Sequence, residues 1–93
     1  MHYTEEQLNQ IQKLAGELTP ATEIGVLLDI NEQELLYDIN DPDSLAHRAF
    51  FLGFATTANE MRRQDIDWAK AGSPVAAVKM SDYIRDILSE LKK

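Results

Sequence analysis

The acidic run at residues 38–43 is the segment whose side chains come closest to metal chemistry. An EF-hand loop that began at Asp38 would need glycine at its sixth position and glutamate at its twelfth. Those positions hold Asp43 and Ala49. The chain also has two histidines and no cysteine, so a zinc site lacks its usual ligands. We therefore expect no bound metal, and we interpret these acids as turn and cap residues.

The side-chain groupings that support catalysis are missing from the sequence as well. The serines stand at caps or within helical segments, and no glycine-rich loop is available to hold a phosphate group. Acids of the C-terminal third have bases at helical spacing, Arg62 with Asp65 and Arg85 with Asp82, which is typical of solvated ion pairs. We therefore expect a non-enzymatic protein that uses no cofactor and no small-molecule substrate.

The strongest functional signal lies in residues 20–39, where two short helices are predicted on either side of a tight turn. With a helix before them, they make the three-helix arrangement of helix-turn-helix proteins. In that motif the N-terminal residues of the third helix contact base edges. The third helix is acidic, with no lysine or arginine to offset its charge, so the pattern also fits a helix-packing module with an acidic outer face. The candidate recognition residues are Asn31, Gln33, Glu34 and Tyr37.

Capping residues divide the first half of the chain into three helices. Thr4 is followed three residues later by glutamine, which is the spacing of a capping box and predicts a helix over residues 5–18. Thr19-Pro20 predicts the cap and the first residue of a second helix. Asn31 is predicted to cap a third helix, which ends near Ile39.

The second half of the chain is predicted to form a long helix that is followed by a shorter one. Ser44 or Asp43 can cap a helix that runs to residue 71, and we expect any bend to fall near Gly53. Gly72 is predicted to end it, and Ser73-Pro74 to start the last helix. Because the link is so short, the two helices should form an antiparallel hairpin. The last helix carries an apolar seam at coiled-coil-like spacing, with Ala77, Met80, Ile84, Ile87 and Leu91.

The fold class that follows is all-α. Residues 1–43 are expected to form a helix-turn-helix-like core of three helices, with Ile24 and Leu35 buried in it. Residues 44–93 are expected to form an oligomerisation unit, which consists of the long helix and the C-terminal antiparallel helical hairpin.

Charge is unevenly distributed along the chain, which carries a net charge of −7. Residues 1–46 hold ten acidic side chains and one basic one, whereas residues 47–93 hold six acids and eight bases. Affinity for nucleic acid of any sequence comes from basic side chains that neutralise phosphates. Contact with double-stranded DNA must therefore come from the second half, and the candidates are Arg48, Arg62, Arg63 and Lys70.

Apolar side chains exceed what a 93-residue monomer can cover. Residues 45–55 are apolar almost all round, which predicts burial on all sides. Farther along the long helix the apolar residues separate into two stripes, and a helix with two apolar stripes has two partners. We expect the second partner to be another copy of the chain. The expected oligomer interface comprises Phe51, Ala55, Ala58, Ile84, Ile87 and Leu91.

The first residues lack the basic start and the apolar stretch of a signal peptide. No apolar run is long enough for a membrane-spanning helix. We therefore expect a cytoplasmic protein with no membrane partner.

Several short motifs, in this order, resemble those of the small terminase-like proteins of tailed phages and prophages. The motifs are the helix-turn-helix pattern of residues 19–39, Asp-Pro-Asp-Ser at 41–44, Arg62-Arg63 with Trp68-Ala69-Lys70, and Ala-Gly-Ser-Pro at 71–74. The similarity covers most of residues 18–92. It implies a DNA-packaging recognition subunit whose helix-turn-helix binds DNA and whose hairpin assembles a ring. Such a subunit passes phage DNA to a large ATPase-nuclease subunit.

The sequence thus predicts a non-enzymatic, oligomeric, small-terminase-like recognition protein. Its partners would be further copies of itself, double-stranded DNA bound weakly, and a large terminase-like subunit, in the cytoplasm of a bacterium or a phage-infected host. Two alternatives stay open: an acidic protein-interaction or scaffold module that has lost DNA binding, and a transcriptional regulator. Basic residues gathered on one face would favour the terminase-like recognition protein, whereas bases scattered among acids would favour the scaffold module.

Overall fold

The computed structural model describes residues 2–91, which form five α-helices and no β-strand. The all-α prediction is confirmed. By contact density the chain divides into a first unit that ends at Ala58 and a second unit that begins at Asn59. None of the helices in this part of the chain has the length and apolar character that crossing a membrane requires. The helices are α1 (Glu5–Gly16), α2 (Ala21–Leu28), α3 (Glu32–Asn40), α4 (Leu45–Lys70) and α5 (Pro74–Leu91).

Side-chain caps start four of the helices where the sequence predicts them. The Thr4 hydroxyl accepts a hydrogen bond from the Gln7 N–H at 3.1 Å, and the Gln7 side chain accepts one from the Thr4 N–H at 2.9 Å. The predicted capping box is therefore present. Asn31, Ser44 and Ser73 accept bonds from backbone N–H groups at the starts of α3, α4 and α5. Each such cap typically contributes about 1 kcal/mol.

Two helix ends differ from the prediction. α1 ends at Gly16 rather than near Leu18, because Leu18 adopts a positive φ of 63° and its N–H turns back to the Ala15 carbonyl. α2 begins at Ala21, one residue late, because the extended backbone of Pro20 (ψ 149°) places it at the N-cap rather than inside the helix. Pro20 makes no side-chain cap bond.

The core of the first unit is built by four helices. Ile11, Ile24 and Leu35 have no exposed surface, and they come from α1, α2 and α3. Ala46 and Ala49 bring the start of α4 into the same cluster. The predicted burial of Ile24 and Leu35 is confirmed.

A close crossing fixes the first half of α4 to α1. A Cβ atom on Gly53 would lie 2.9 Å from the carbonyl carbon of Gln12 and 3.1 Å from the backbone nitrogen of Gly16. The Thr57 hydroxyl donates to the Gly16 carbonyl oxygen at 2.5 Å. Because these contacts hold α4 in the core, the first unit extends to residue 58 rather than to the predicted boundary at residue 43.

The first half of α4 is not buried all round, contrary to the prediction. Its fully buried residues are Ala46, Ala49 and Gly53, while Phe50 packs half-buried against the core. The small residues take the close contact with α1, which leaves most of the large ones on the outer side. The exposed apolar side chains are Leu45, Phe51, Leu52 and Phe54.

Replacing Gly53 with alanine is expected to destabilise the protein, although alanine favours a helix by about 1 kcal/mol over glycine. The added methyl group would collide with the backbone of α1, and such overpacking typically costs about 1–3 kcal/mol. We expect a lower midpoint of thermal unfolding, measured by circular dichroism. Thr56→Ala, at an exposed position on the same helix, is the control and should not lower it. A Gly53→Ala midpoint at or above that of the wild type would contradict the close crossing.

Candidate recognition and assembly surfaces

The four predicted recognition residues lie together on one side of α3. Asn31, Gln33, Glu34 and Tyr37 line a shallow groove together with Asp38. Tyr37 is 74% exposed. The Asn31 side-chain oxygen is already used to cap the helix, since it accepts from the Glu34 N–H at 3.0 Å. The structure therefore brings these residues together, and it leaves Gln33 and Tyr37 as the side chains best placed for contact with a partner.

A tight turn sets the position of α3 against α2. Asp29 ends α2 in the left-handed conformation, with φ at 55° and ψ at 44°. The Ile30 N–H donates to the Gly25 carbonyl at 2.9 Å. A Cβ atom on Gly25 would lie 3.1 Å from the Cα of Glu32 and from the Ile30 carbonyl oxygen. The two helices therefore cross at Gly25, where only a residue without a side chain fits.

The α2–α3 surface is acidic. Glu32 and Glu34 are exposed, and Asp38 is half-buried beside them. The sequence between Lys13 and Arg48 contains no lysine or arginine. A DNA backbone laid along α3 would meet negative charge without a cationic side chain from α2, from α3 or from the turn between them.

Tyr3 anchors the start of the chain to this surface. Its hydroxyl donates to the Asp38 carboxylate at 2.5 Å. Burial raises the pKa of the Tyr3 phenol well above its ordinary value, and the hydrogen bond to Asp38 raises it further. Sequence analysis missed this contact because its two residues are far apart in the chain and follow no local pattern.

The acids of residues 38–43 serve as turn and tethering residues. Asp38 holds Tyr3, and the Asp41 carboxylate accepts from the Asp43 N–H at 3.1 Å. Within residues 2–91, no three side chains of metal-binding type lie close enough together to hold an ion.

A buried carboxylate organises the second unit. Asp65 is 5% exposed and accepts a hydrogen bond from the Tyr83 hydroxyl at 2.7 Å. This bond raises the pKa of Tyr83. The Lys79 ammonium lies 3.8 Å from the other carboxylate oxygen, and the Arg62 guanidinium lies over the Tyr83 ring at 5.8 Å. These contacts show that α5 folds back along the second half of α4.

The predicted pair between Arg62 and Asp65 is wrong. Asp65 is buried and is held by groups of α5, and Arg62 contacts an aromatic ring, so neither belongs to a solvated i,i+3 pair. The predicted Arg85–Asp82 pair is present at 3.2 Å. These contacts of Asp65 could have been predicted from the hairpin, because a hairpin brings α5 back onto the second half of α4.

The predicted DNA-contact residues are all exposed. Arg48 belongs to the first unit, whereas Arg62, Arg63 and Lys70 belong to the second. Of the three in the second unit, Arg62 is engaged with the ring of Tyr83. Arg63 and Lys70 are therefore the bases of that unit best placed for an external contact.

Acids accompany these bases on α4. At about 100° per residue, Arg63 and Lys70 lie about 20° apart around the helix. Glu60 and Asp67 lie within roughly 80° of them, and both acids are exposed. This interleaving of charges is the feature that favours a protein-interaction module over a DNA-binding one.

The predicted oligomer interface is exposed for most of its residues. Phe51, Ile84, Ile87 and Leu91 are 43–75% exposed. Ala55 is exposed too, and Ala58 is half-buried. Within the hairpin, α5 contacts α4 through Tyr83. At about 100° per residue, Met80 and Ile87 of the predicted seam lie within about 60° of Tyr83, whereas Ala77, Ile84 and Leu91 lie about 80–120° away from it.

The second unit has very little apolar core. Among residues 59–91, Ala76 is the one buried apolar residue. Eight large apolar side chains of this unit are at least half exposed. They are Met61, Trp68, Val75, Val78, Ile84, Ile87, Leu88 and Leu91.

Comparisons with models of known protein families, with curated proteins and with solved structures find no match to this chain. What the protein does is therefore inferred from its residues and their geometry.

The Tyr3–Asp38 contact makes a pH-dependent contribution to stability. Because the pKa of Tyr3 is raised on folding, the contribution is complete below the ordinary tyrosine value of 10.0 and is lost as the pH rises above it. As the pH is raised from about 9 to about 11, the free energy of unfolding should fall less for Tyr3→Phe than for the wild type, measured by urea unfolding at each pH. Tyr37→Phe, at an exposed site, should keep the wild-type dependence. Identical slopes for wild type and Tyr3→Phe would contradict the contact.

Proposed function

We propose that this chain is a non-enzymatic, self-associating recognition protein whose organisation resembles that of small terminase proteins. In this proposal the hairpin of α4 and α5 joins copies of the chain, and the unit built around α1–α3 contacts the target. Partners of the assembled protein would be double-stranded DNA, bound weakly, and a large terminase-like subunit.

The exposure of the hairpin is the observation that carries this proposal. Ordering a residue costs about 1–2 kcal/mol of backbone entropy, and apolar burial recovers about 25 cal/mol per Å². The second unit, residues 59–91, buries only Asp65 and Ala76 and therefore recovers little of that cost. A second surface that covers its large apolar side chains would supply the missing burial.

Weak binding of DNA follows from the charge distribution. The acids of α3 repel phosphates, so contact by this helix in the manner of a helix-turn-helix protein is disfavoured. Arg48, Arg63 and Lys70 are exposed and can each neutralise a phosphate. Self-association would repeat these few bases in every copy and raise the total affinity.

The second candidate function is an acidic protein-interaction module. The acidic α3 surface and the acids beside Arg63 and Lys70 favour it. In this case the target of α3 is a protein, and the contacts with DNA are absent.

Binding to a DNA duplex at low salt separates the two candidates. We expect the wild-type protein to bind a fluorescently labelled duplex weakly, with an affinity that falls steeply as salt is added. Each phosphate contact contributes about −0.9 to the slope of log affinity against log salt. The double variant Arg63→Ala/Lys70→Ala removes two such contacts. It should therefore flatten the slope by up to about two units per bound copy, measured by fluorescence anisotropy.

Lys13→Ala is the matched control, because it also removes an exposed base, from α1. It should leave the salt dependence unchanged. If the wild type self-associates and yet shows no DNA binding at low salt, the terminase-like function is wrong and the protein-interaction module is favoured. Tight binding that Gln33→Ala abolishes would instead show that α3 contacts bases.

A further inference from the structure

One side of α5 is an apolar strip that its contact with α4 does not use. At about 100° per residue, Ala77, Ile84, Leu88 and Leu91 lie within about 60° of one another. Met80 and Ile87 border them on the side toward α4. These six residues are called the α5 seam. Ile84, Ile87, Leu88 and Leu91 are 53–75% exposed.

Charged residues of α5 lie away from the seam. Arg85 is 3.2 Å from Asp82 and 4.0 Å from Asp86, so these charges are paired along their own helix. Lys79 is directed to Asp65 on α4. A partner that covers the seam therefore leaves these charged pairs in place.

We propose that the α5 seam packs against the α5 seam of a second copy, with the two helices antiparallel around a two-fold axis at Ile84. This proposal rests on the proposed function, because it specifies how the self-association is made. An isologous contact of this kind uses the same surface on both copies and closes at two chains.

The area of the seam suits a second copy. Its four large exposed side chains, together with Ala77 and the half-buried Met80, present roughly 500 Å² of apolar surface, at about 100 Å² for each of the four. Interfaces are about 60% apolar, so this corresponds to ~800 Å² in all for each copy, which is the size of a standard interface. The seam is therefore large enough to support a stable dimer.

The sizes of the seam residues favour the antiparallel arrangement. The seam is narrow at its N-terminal end, where it begins with Ala77, and wide at its C-terminal end, where it finishes with Leu91. An antiparallel pair centred on Ile84 places Ala77 opposite Leu91 of the second copy and Met80 opposite Leu88. The small Ala77 then faces the large Leu91, as close packing requires, while Met80 and Leu88, which are similar in size, face each other. A parallel pair would place Leu91 against Leu91 at one end, which forces the helices apart there, and Ala77 against Ala77 at the other end, where a gap would remain.

The arrangement has a consequence for the target. The dimer carries two copies of the α3 surface, so a partner with two equivalent sites could engage both and gain affinity by doing so.

Single cysteines test the arrangement directly, because the chain has no cysteine of its own. Under mild oxidation, Ile84→Cys is expected to form a disulfide-linked dimer, since the two residues meet at the axis. Ala77→Cys is the matched variant and should stay uncrosslinked. In the antiparallel pair its two copies lie about 21 Å apart, for 14 residues at 1.5 Å each. An equimolar mixture of Ala77→Cys and Leu91→Cys should give a mixed dimer.

A charge on the seam gives a second test by sedimentation equilibrium. Ile84→Glu is expected to raise the dimer dissociation constant about a hundredfold or more, because the carboxylate would be buried against apolar groups. Val75→Glu lies on the opposite side of α5, at a site that is also well exposed, and should leave the dimer intact. Circular dichroism of both variants checks that the helices are retained.

Three other results would overturn the proposed dimer, and the experiments tell them apart. Strong crosslinking of Ala77→Cys with itself would show a parallel pair. An oligomer in which none of these cysteines crosslinks would show that another surface, such as the outer face of α4, joins the copies. In that case the proposed function survives. A wild-type protein that stays monomeric at tens of micromolar would overturn both.

Discussion

The absence of a side chain at Gly53 lets the backbone of α1 come into contact with α4, and this crossing decides how much apolar surface a single chain can cover. The contact with α1 uses the small residues of α4, so the buried positions go to Ala46, Ala49 and Gly53. Phe51 and Phe54 are consequently left exposed. An exposed apolar surface on a small acidic protein is the physical basis for expecting it to associate.

Polar contacts take the place of a core in the second unit. A buried carboxylate that is paired and hydrogen-bonded specifies how two elements meet, but it adds little net stability because its desolvation is costly. Asp65, with Tyr83 and Lys79, therefore defines how α5 sits on the second half of α4, while the burial that stabilises a fold is still missing. Polar groups align the hairpin, and the large apolar residues of α5 stay exposed, which is the surface that the proposed dimer would cover.

Local chemistry explains which features the sequence could predict. The caps at Thr4 and Asn31 act over three residues, so their spacing alone predicted where α1 and α3 begin. The candidate recognition residues of α3 were predicted from their place in the third helix of the motif, and helical periodicity brings Gln33, Glu34 and Tyr37 to one side of it. The role of Gly53 was not predicted, since its partners lie 37 and 41 residues earlier, on α1, and a glycine within a helix also fits a bend. Asp65 was mistaken for a solvated acid because its partner Tyr83 lies 18 residues away, on the next helix.

The concentration dependence of thermal unfolding tests self-association most directly. A protein that is stabilised by binding another copy becomes more stable as its concentration rises. Unfolding of the wild type would be followed by circular dichroism from about 5 μM to about 500 μM, with sedimentation at each concentration. The predicted result is a midpoint that rises steadily with concentration while the sedimenting mass exceeds the 10.5 kDa of one chain. A midpoint that does not change with concentration, in a protein that sediments as a compact monomer throughout, would contradict self-association.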